Sequence, residues 1–292
     1  MERHLSICVF QPAESMMSKS VIAAYGQSHT GNIRADNQDT IRWYEPEDEI
    51  ALRDHGRLYG IADGMGGYEH GGVASALALE TFFDTFYRGQ PSKAQQNMRQ
   101  GVQNANLAVF QTAQRMNARM GTTLSVVNIV GQQLYVAHVG DSRVYQIRGH
   151  KAVCLTNDHT AVGELVRMRV LSPDKVRTHE RRSVLEKSLG IELFVQPDIA
   201  YHAINEGDYL VLCTDGVWAY VQDEEFAQLV ADIGAPEQIG EALIHLALER
   251  KSDDNVSVVV VQALQLVPAI APSETGRLSF AHFFRGFLNG KA

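Results

Sequence analysis

The sequence is poor in cysteine. Its three residues, Cys8, Cys154 and Cys213, form no CxxC pair. An odd, scattered set gives no disulfide framework and no thiolate zinc site, and it suits a reducing compartment, so a cytoplasmic location is expected. Cys154 and Cys213 sit inside the apolar runs AVCL and LVLCT and read as small core residues. Positive charge is also short: the formal net charge is −8, which argues against nucleic acid as the main partner, because binding a phosphate backbone needs a strongly basic surface. No apolar run approaches the roughly 18 residues of a membrane-spanning helix. The brief stretch from Leu5 to Phe10 is too short for a secretory core and lacks a small-residue cleavage pattern. No internal repeat is visible.

What is present supports one large folded unit. The chain has 292 residues, 45% of them hydrophobic, enough for a substantial core. Three parts are expected: a flexible extension over residues 1–19, a globular body over 20–264, and a tail over 265–292 that opens on the linker VPAIAPSETG. In the tail, Phe280, Phe283, Phe284, Phe287 and Leu288 fall on one helical face. Residues 278–288 are therefore expected to dock on a partner or on the chain's own domain.

Within the body, strands are expected at Val21–Tyr25, Thr40–Tyr44 and Leu58–Ala62, with an acidic turn, EPEDE, between the last two. Helices are expected over Gly72–Tyr87 and Ser92–Met116, with Ser92 as N-cap. Four β segments follow: Thr122–Val130, Gln133–His138, Arg143–Arg148 and Lys151–Leu155. The short breaks between them force an antiparallel meander, since a parallel crossover needs a dozen residues or more. Strands return at Phe194–Ala203, Tyr209–Cys213 and Val256–Gln262, with helices over Asp223–Asp232 and Pro236–Arg250. Strands and helices grouped in this way indicate an α+β architecture rather than a doubly wound parallel sheet.

Four segments place an aspartate at the end of an apolar strand: GIADGMGG (Asp63), AHVGDSRVY (Asp141), LVLCTDGVWAY (Asp215) and SDDNVSVVVV (Asp254). Strand ends are rigid platforms whose loops gather functional groups. Any one such aspartate is ordinarily spent on a turn or cap; four together fit a site for a hard cation such as Mg²⁺ or Mn²⁺, which takes oxygen ligands. The glycine after Asp63, Gly64, leaves its carbonyl open and lets other groups approach the backbone. Arg34, in TGNIRADNQD, lies five residues before Asp39 and could take a phosphate through paired hydrogen bonds.

These pieces in order, GNIRADNQD, GIADGMGG, GTT at 121–123, VGDSR, LTNDHT, CTDGVW and DDNVSVVVV, resemble the type 2C metal-dependent Ser/Thr protein phosphatases (the PPM family) in their bacterial form, over residues 20–264. The resemblance implies a fold of two antiparallel β-sheets packed as a sandwich and flanked by helices. It implies that Arg34 binds the substrate phosphate and that Asp63 bridges two metals. Gly64 would offer its carbonyl to one metal, and Asp215 and Asp254 would hold the other. Asp39 would hold water at the metals, and Asp141 with Asp215 would form a third metal site. Asp253 is set aside because the family's ligand directly precedes Asn. The implied cofactors are two Mn²⁺ or Mg²⁺ ions with a possible third; the implied partners are phosphorylated proteins, substrates of a bacterial Ser/Thr kinase, and a monomer is expected. Two such ions lower the pKa of a shared water and clamp an in-line displacement at phosphorus.

Two departures from the family pattern stand out. Met65 occupies a position where some members have a histidine, and it cannot donate a proton; the donor is left open between a water at the site and a histidine, the motif histidines being His29, His138 and His159. Gln38 replaces a glutamate of some members, which thins the acid around the metals. Residues 164–187, the family's variable flap, carry seven Lys/Arg against four Asp/Glu, a local basic excess able to attract phosphorylated or acidic peptide. Two rival readings remain. A binding module that had lost catalysis would lack one of the aspartates, and all are present. A phosphate-binding nucleotide loop at GMGG would need GKS or GKT, which is missing.

Overall fold

The computed structural model describes residues 20–65 and 70–267. The expected extension over 1–19, most of the tail and the 278–288 helix lie outside them. In chain order the elements are β1 (Val21–His29), β2 (Asp39–Tyr44), α1 (Glu49–His55), β3 (Arg57–Asp63), α2 (Gly71–Tyr87), α3 (Ala94–Met116), β4 (Leu124–Val130), β5 (Gln133–Val139), β6 (Arg143–Arg148) and β7 (Lys151–Cys154). Then come α4 (Ala161–Arg167), a 3₁₀ turn (Pro173–Thr178), β8 (Asp198–Ala203), β9 (Tyr209–Cys213), α5 (Asp215–Trp218), α6 (Asp223–Ile233), α7 (Pro236–Glu249) and β10 (Val256–Gln265).

The strands form two five-stranded sheets, ordered β1-β10-β9-β6-β7 and β2-β3-β4-β5-β8. Every pairing is antiparallel. This is the expected α+β sandwich. Its central strands are apolar on both faces because both faces are covered. Along β10, Val256, Val258 and Val260 point to the layer of α5, α6 and α7, where they meet Phe226, Ile239 and Leu243. The alternate residues Val259 and Val261 face the opposite sheet and meet Tyr59, Ile61 and Val127. In β3 the same period-2 alternation sends Leu58 and Ala62 toward α2 and α3, against Phe82, Phe86 and Val102.

Local chemistry accounts for the departures from the expected elements. The acidic turn continues into α1, whose N-cap Asp48 accepts a hydrogen bond from the Ala51 amide and whose last turn closes on Gly56. Ser92 does not cap α3: it adopts φ 56°, its amide donates to the Asp54 carbonyl, and the helix begins at Ala94 after Lys93 without a side-chain cap. The strand expected from Phe194 begins only at Asp198. The preceding backbone is held by α3 instead: Asn106 Nδ2 donates to the carbonyls of Glu192 and Leu193, and Gln103 Nε2 to that of Val195. Pro197 cannot donate to a sheet ladder. Cys213 is fully buried and Cys154 partly so, and both are free thiols.

Candidate metal centre

β2 and β3 pair in a register that sets Asp39 directly opposite Asp63. Side chains alternate across a strand, so directly paired residues lie on the same face of a sheet. The pair is therefore fixed by the ladder itself, at one end of the second sheet. From the first sheet, β9 runs into α5, whose first residue is Asp215. Asp254 sits two residues before β10 begins. Asp141 lies in the tight connection between β5 and β6. The ends of both sheets thus send carboxylates toward one place.

The carboxyl of Asp39 is buried. Its Oδ2 accepts from Ser257 Oγ at 2.6 Å and from Thr214 Oγ1 at 3.0 Å. Burial pushes its pKa up to about 6, although those two hydrogen bonds pull the other way. Asp63 is raised well above its ordinary value, first by burial and then by the charges of Asp39, Asp215, Asp141 and Asp254. Asp215 is pushed up to about 7 by burial and by the charges of Asp254 and Asp39, with Arg182 opposing. Asp141 is raised by burial and by Asp215. Four of the five aspartates therefore hold protons more tightly than free carboxylates, each because others lie close in a dry setting.

Such a group lacks positive charge, and several features fit a cation supplying it. Asp39 Oδ1 and Asp215 Oδ1 are buried and have no hydrogen-bond partner among the described residues. Hard divalent ions are held by such oxygens. Gly64 brings its backbone against two others: a Cβ there would lie 2.3 Å from the Gly71 carbonyl oxygen and 2.6 Å from that of Gln38. Only glycine allows the chain to turn so close to Asp63. Among the described residues, no three side chains of His, Cys, Asp or Glu are gathered into a ready cage.

Arg34 faces the acids, and its Nη2 donates to Asp254 Oδ2 at 2.7 Å. Its loop is built to hold it. Asn255 Nδ2 donates to the carbonyls of Thr30 and Asp36, and Asn255 Oδ1 accepts from the Gln38 amide. One side chain thereby ties both ends of the 30–38 loop. Gly31, at φ 83°, packs so closely on Asp254 that a Cβ would lie 2.2 Å from its carbonyl oxygen. Asp253 accepts from Tyr220 Oη.

Three supports escaped sequence reasoning. Thr214 and Ser257 hold Asp39. Trp218 Nε1 donates to the Asp141 carbonyl at 2.9 Å, and the Arg143 guanidinium lies 3.7 Å from the centre of the Trp218 ring while pairing with Asp158 at 2.7 Å. Hydroxyls flanking apolar strands (LCTDG, NVSVV) were the available signal. Each of the three motif histidines is hydrogen-bonded. His138 is buried between Ser125 Oγ and the Asn157 carbonyl, and burial lowers its pKa to about 4. His159 accepts from the Gly140 amide and faces Asp198 at 3.2 Å. His29 accepts from the Gly31 amide. In the basic segment 164–187, much of the charge is spent internally. Arg177 binds Asp223 and the Trp218 carbonyl, Arg167 pairs with Glu164, and Arg182 faces Asp253 at 3.8 Å.

The family model described as Protein phosphatase 2C matches residues 23–173 and 191–256, more than half of the chain and every element that brings an aspartate to the cluster. The chain belongs to the protein phosphatase 2C family. The match leaves out residues 174–190, most of the flap. Protein phosphatase PhpP of Streptococcus pneumoniae is 31% identical over 242 residues, covering 79% of this phosphatase 2C chain and 93% of its own. The serine/threonine phosphatase Stp1 from Staphylococcus aureus has the same fold, with TM-score 0.77 and 28% identity over 86% of this chain and 99% of that one. The catalytic domain of serine/threonine protein phosphatase PstP, solved in complex with two manganese ions, matches with TM-score 0.72 and 28% identity over 85% of this phosphatase and 100% of that chain.

Proposed function

We propose that this phosphatase 2C chain hydrolyses phosphoserine and phosphothreonine on proteins, using divalent cations held by Asp63, the Gly64 carbonyl, Asp215 and Asp254, with Asp39 and Asp141 as further oxygen donors. The observation that carries the reading is the convergence of five aspartates from both sheets beside Arg34. When bound, the cations supply an activated water and offset the charge of the phosphoryl oxygens. Arg34 orients the substrate: its guanidinium, steered by Asp254, presents further N–H donors to the phosphoryl group, where charge develops during transfer. Asp39, held by Thr214 and Ser257, keeps its free oxygen aimed inward. With water as the attacking group, no nucleophilic Ser or Cys is needed and no phosphoenzyme is expected. Manganese is the first ion to test, given the PstP complex.

The same reading extends to the setting. The substrates are those of a Ser/Thr kinase, and the free thiols of Cys154 and Cys213 suit a cytoplasmic location. Among the described residues no helix is long and apolar enough to cross a membrane. A monomer is taken as the working unit.

The test is hydrolysis of an aryl phosphate and of a phosphothreonine peptide with Mn²⁺, with and without chelator. Chelation abolishes both activities. Asp63→Asn lowers turnover more than about 100-fold and weakens Mn²⁺ binding in calorimetry, while Arg34→Ala lowers kcat/KM by about 2–3 kcal/mol, the scale of one charge-assisted contact. Undiminished turnover in protein stripped of divalent ions would remove the proposal's basis.

A further inference from the structure

A cavity of about 350 Å³ is lined by Met65, Ile191, Phe194 and Val195, with charged residues of both signs among its lining. Its wall is linked to the metal centre through the backbone. Met65 is two residues from Asp63, at most about 7.6 Å at 3.8 Å per Cα step, and its amide donates to the Gly121 carbonyl at 3.0 Å. Thr122 joins the two walls: its Oγ1 donates to the Asp63 carbonyl, and its amide and carbonyl exchange hydrogen bonds with Leu189. An extended polypeptide that crosses the cluster toward Met65 would meet this cavity within one or two residues of the reacting phosphate.

The cavity wall at 189–195 has an unusual combination of properties. Its backbone is held by Asn106 and Gln103 of α3 through three carbonyls, and Asn106 Oδ1 also accepts from the Gly190 amide. On this fixed backbone Leu193 is 47% exposed and Phe194 77% exposed. A large aromatic held outward by a fixed backbone loses little entropy on binding, and this is how interface anchors are built. The charges in its lining balance, Arg119 and Lys187 against Glu186 and Glu192, which leaves the apolar residues as the basis for selection.

We propose that this cavity is a specificity site for the substrate polypeptide, and that it takes an apolar side chain one or two residues from the phosphorylated serine or threonine, with Phe194, Ile191 and Met65 forming its walls. The proposal rests on the phosphoprotein-phosphatase reading above and names the kind of sequence that reading leaves open.

The test uses the full chain with Mn²⁺ and three substrates: a phosphothreonine peptide flanked by leucines, the same peptide flanked by serines, and p-nitrophenyl phosphate. The unaltered protein favours the leucine peptide in kcat/KM by about tenfold or more. Phe194→Ala erases most of that preference, mainly by raising KM, while kcat/KM for p-nitrophenyl phosphate changes by less than twofold. Because Phe194 is exposed, the variant folds, and Phe194→Leu restores part of the preference. Equal use of both peptides by the unaltered protein overturns the site, as does a matched loss by Phe194→Ala on all three substrates. A gain on all three would mean that the cavity holds a blocking segment of this chain, and a change in sedimentation would mean that it holds a second copy; either also overturns it. Hydrolysis of p-nitrophenyl phosphate with no turnover of either peptide would instead defeat the phosphoprotein reading on which the site depends.

Discussion

The carboxylate of Asp39 is positioned by two hydroxyls that come from the other sheet, Thr214 at the end of β9 and Ser257 in β10. Removing either frees the carboxyl to rotate without touching the other aspartates. Thr214→Val and Ser257→Ala are each expected to weaken Mn²⁺ binding about 10–100-fold, the usual effect of losing a group that orients a ligand. Isothermal titration with Mn²⁺ checks this. An unchanged affinity in both variants would show that Asp39 does not depend on them. Asn255 acts at one remove, through the loop that carries Arg34. Asn255→Ala is expected to raise KM for phosphate esters, with the metal affinity altered less.

Among the elements, β6 and the segment after β7 are joined by the Arg143–Asp158 pair, in which both side chains are nearly buried. Truncating one partner leaves the other charge in a dry setting, so Arg143→Ala is expected to cost about 3–5 kcal/mol. It also uncovers the Trp218 ring, which holds the Asp141 carbonyl. In the layer of α2 and α3, Phe82 is fully buried and stacks on Phe86 at 6.3 Å. Phe82→Ala is expected to cost about 3–5 kcal/mol. Urea titration reads both values, and a loss below about 1 kcal/mol in either would contradict the packing described. These elements were largely legible in the sequence. Continuous apolar runs such as VSVVVV announce strands covered on both faces, and aspartates followed by Gly, Ser or Asn at their ends stand out against them. What stayed hidden depends on distant partners. Ser257 and Asp39 are 218 positions apart, and no local pattern reveals that one orients the other. The late start of β8 has the same origin, since side chains of α3 bind the backbone that would otherwise extend the strand. The missed α1 was legible in principle, with Asp48 before it and Gly56 after it.

For the whole molecule, two sets of groups respond to pH with opposite sign. Asp39 and Asp215, raised to about 6 and about 7 from an ordinary 3.8, bind protons in the fold that the unfolded chain has released. In metal-free protein their contribution is full below about pH 4 and is lost as pH rises toward 7. His138, lowered from 6.5 to about 4, favours the fold above pH 6.5, and that contribution is lost as pH falls toward 4, at most about 3 kcal/mol. The two trends oppose each other between pH 4 and 6.5, but at least two raised aspartates outweigh one lowered histidine, so metal-free protein is expected to lose stability as pH rises through that range. Bound cations keep the aspartates ionised in the fold and cancel their part. The Mn²⁺-loaded protein is then expected to lose melting temperature on acidification from pH 6.5 to 4, increasingly as protons displace the metal. Thermal melts with Mn²⁺ and with chelator test this, and parallel profiles would refute it.

The aspartates come from both halves of the sandwich: Asp39 and Asp63 belong to the sheet of β2 and β3, whereas Asp215 and Asp254 border β9 and β10. An ion gripped by both sets would act as a clasp across two layers otherwise joined by apolar contact and by the hydroxyls on Asp39. Amide exchange in β3 and β10, which opens through separate fluctuations when the clasp is absent, should then slow in concert on loading with Mn²⁺. Catalytic competence and resistance to the parting of the layers would become one property, gained and lost at the same metal concentration.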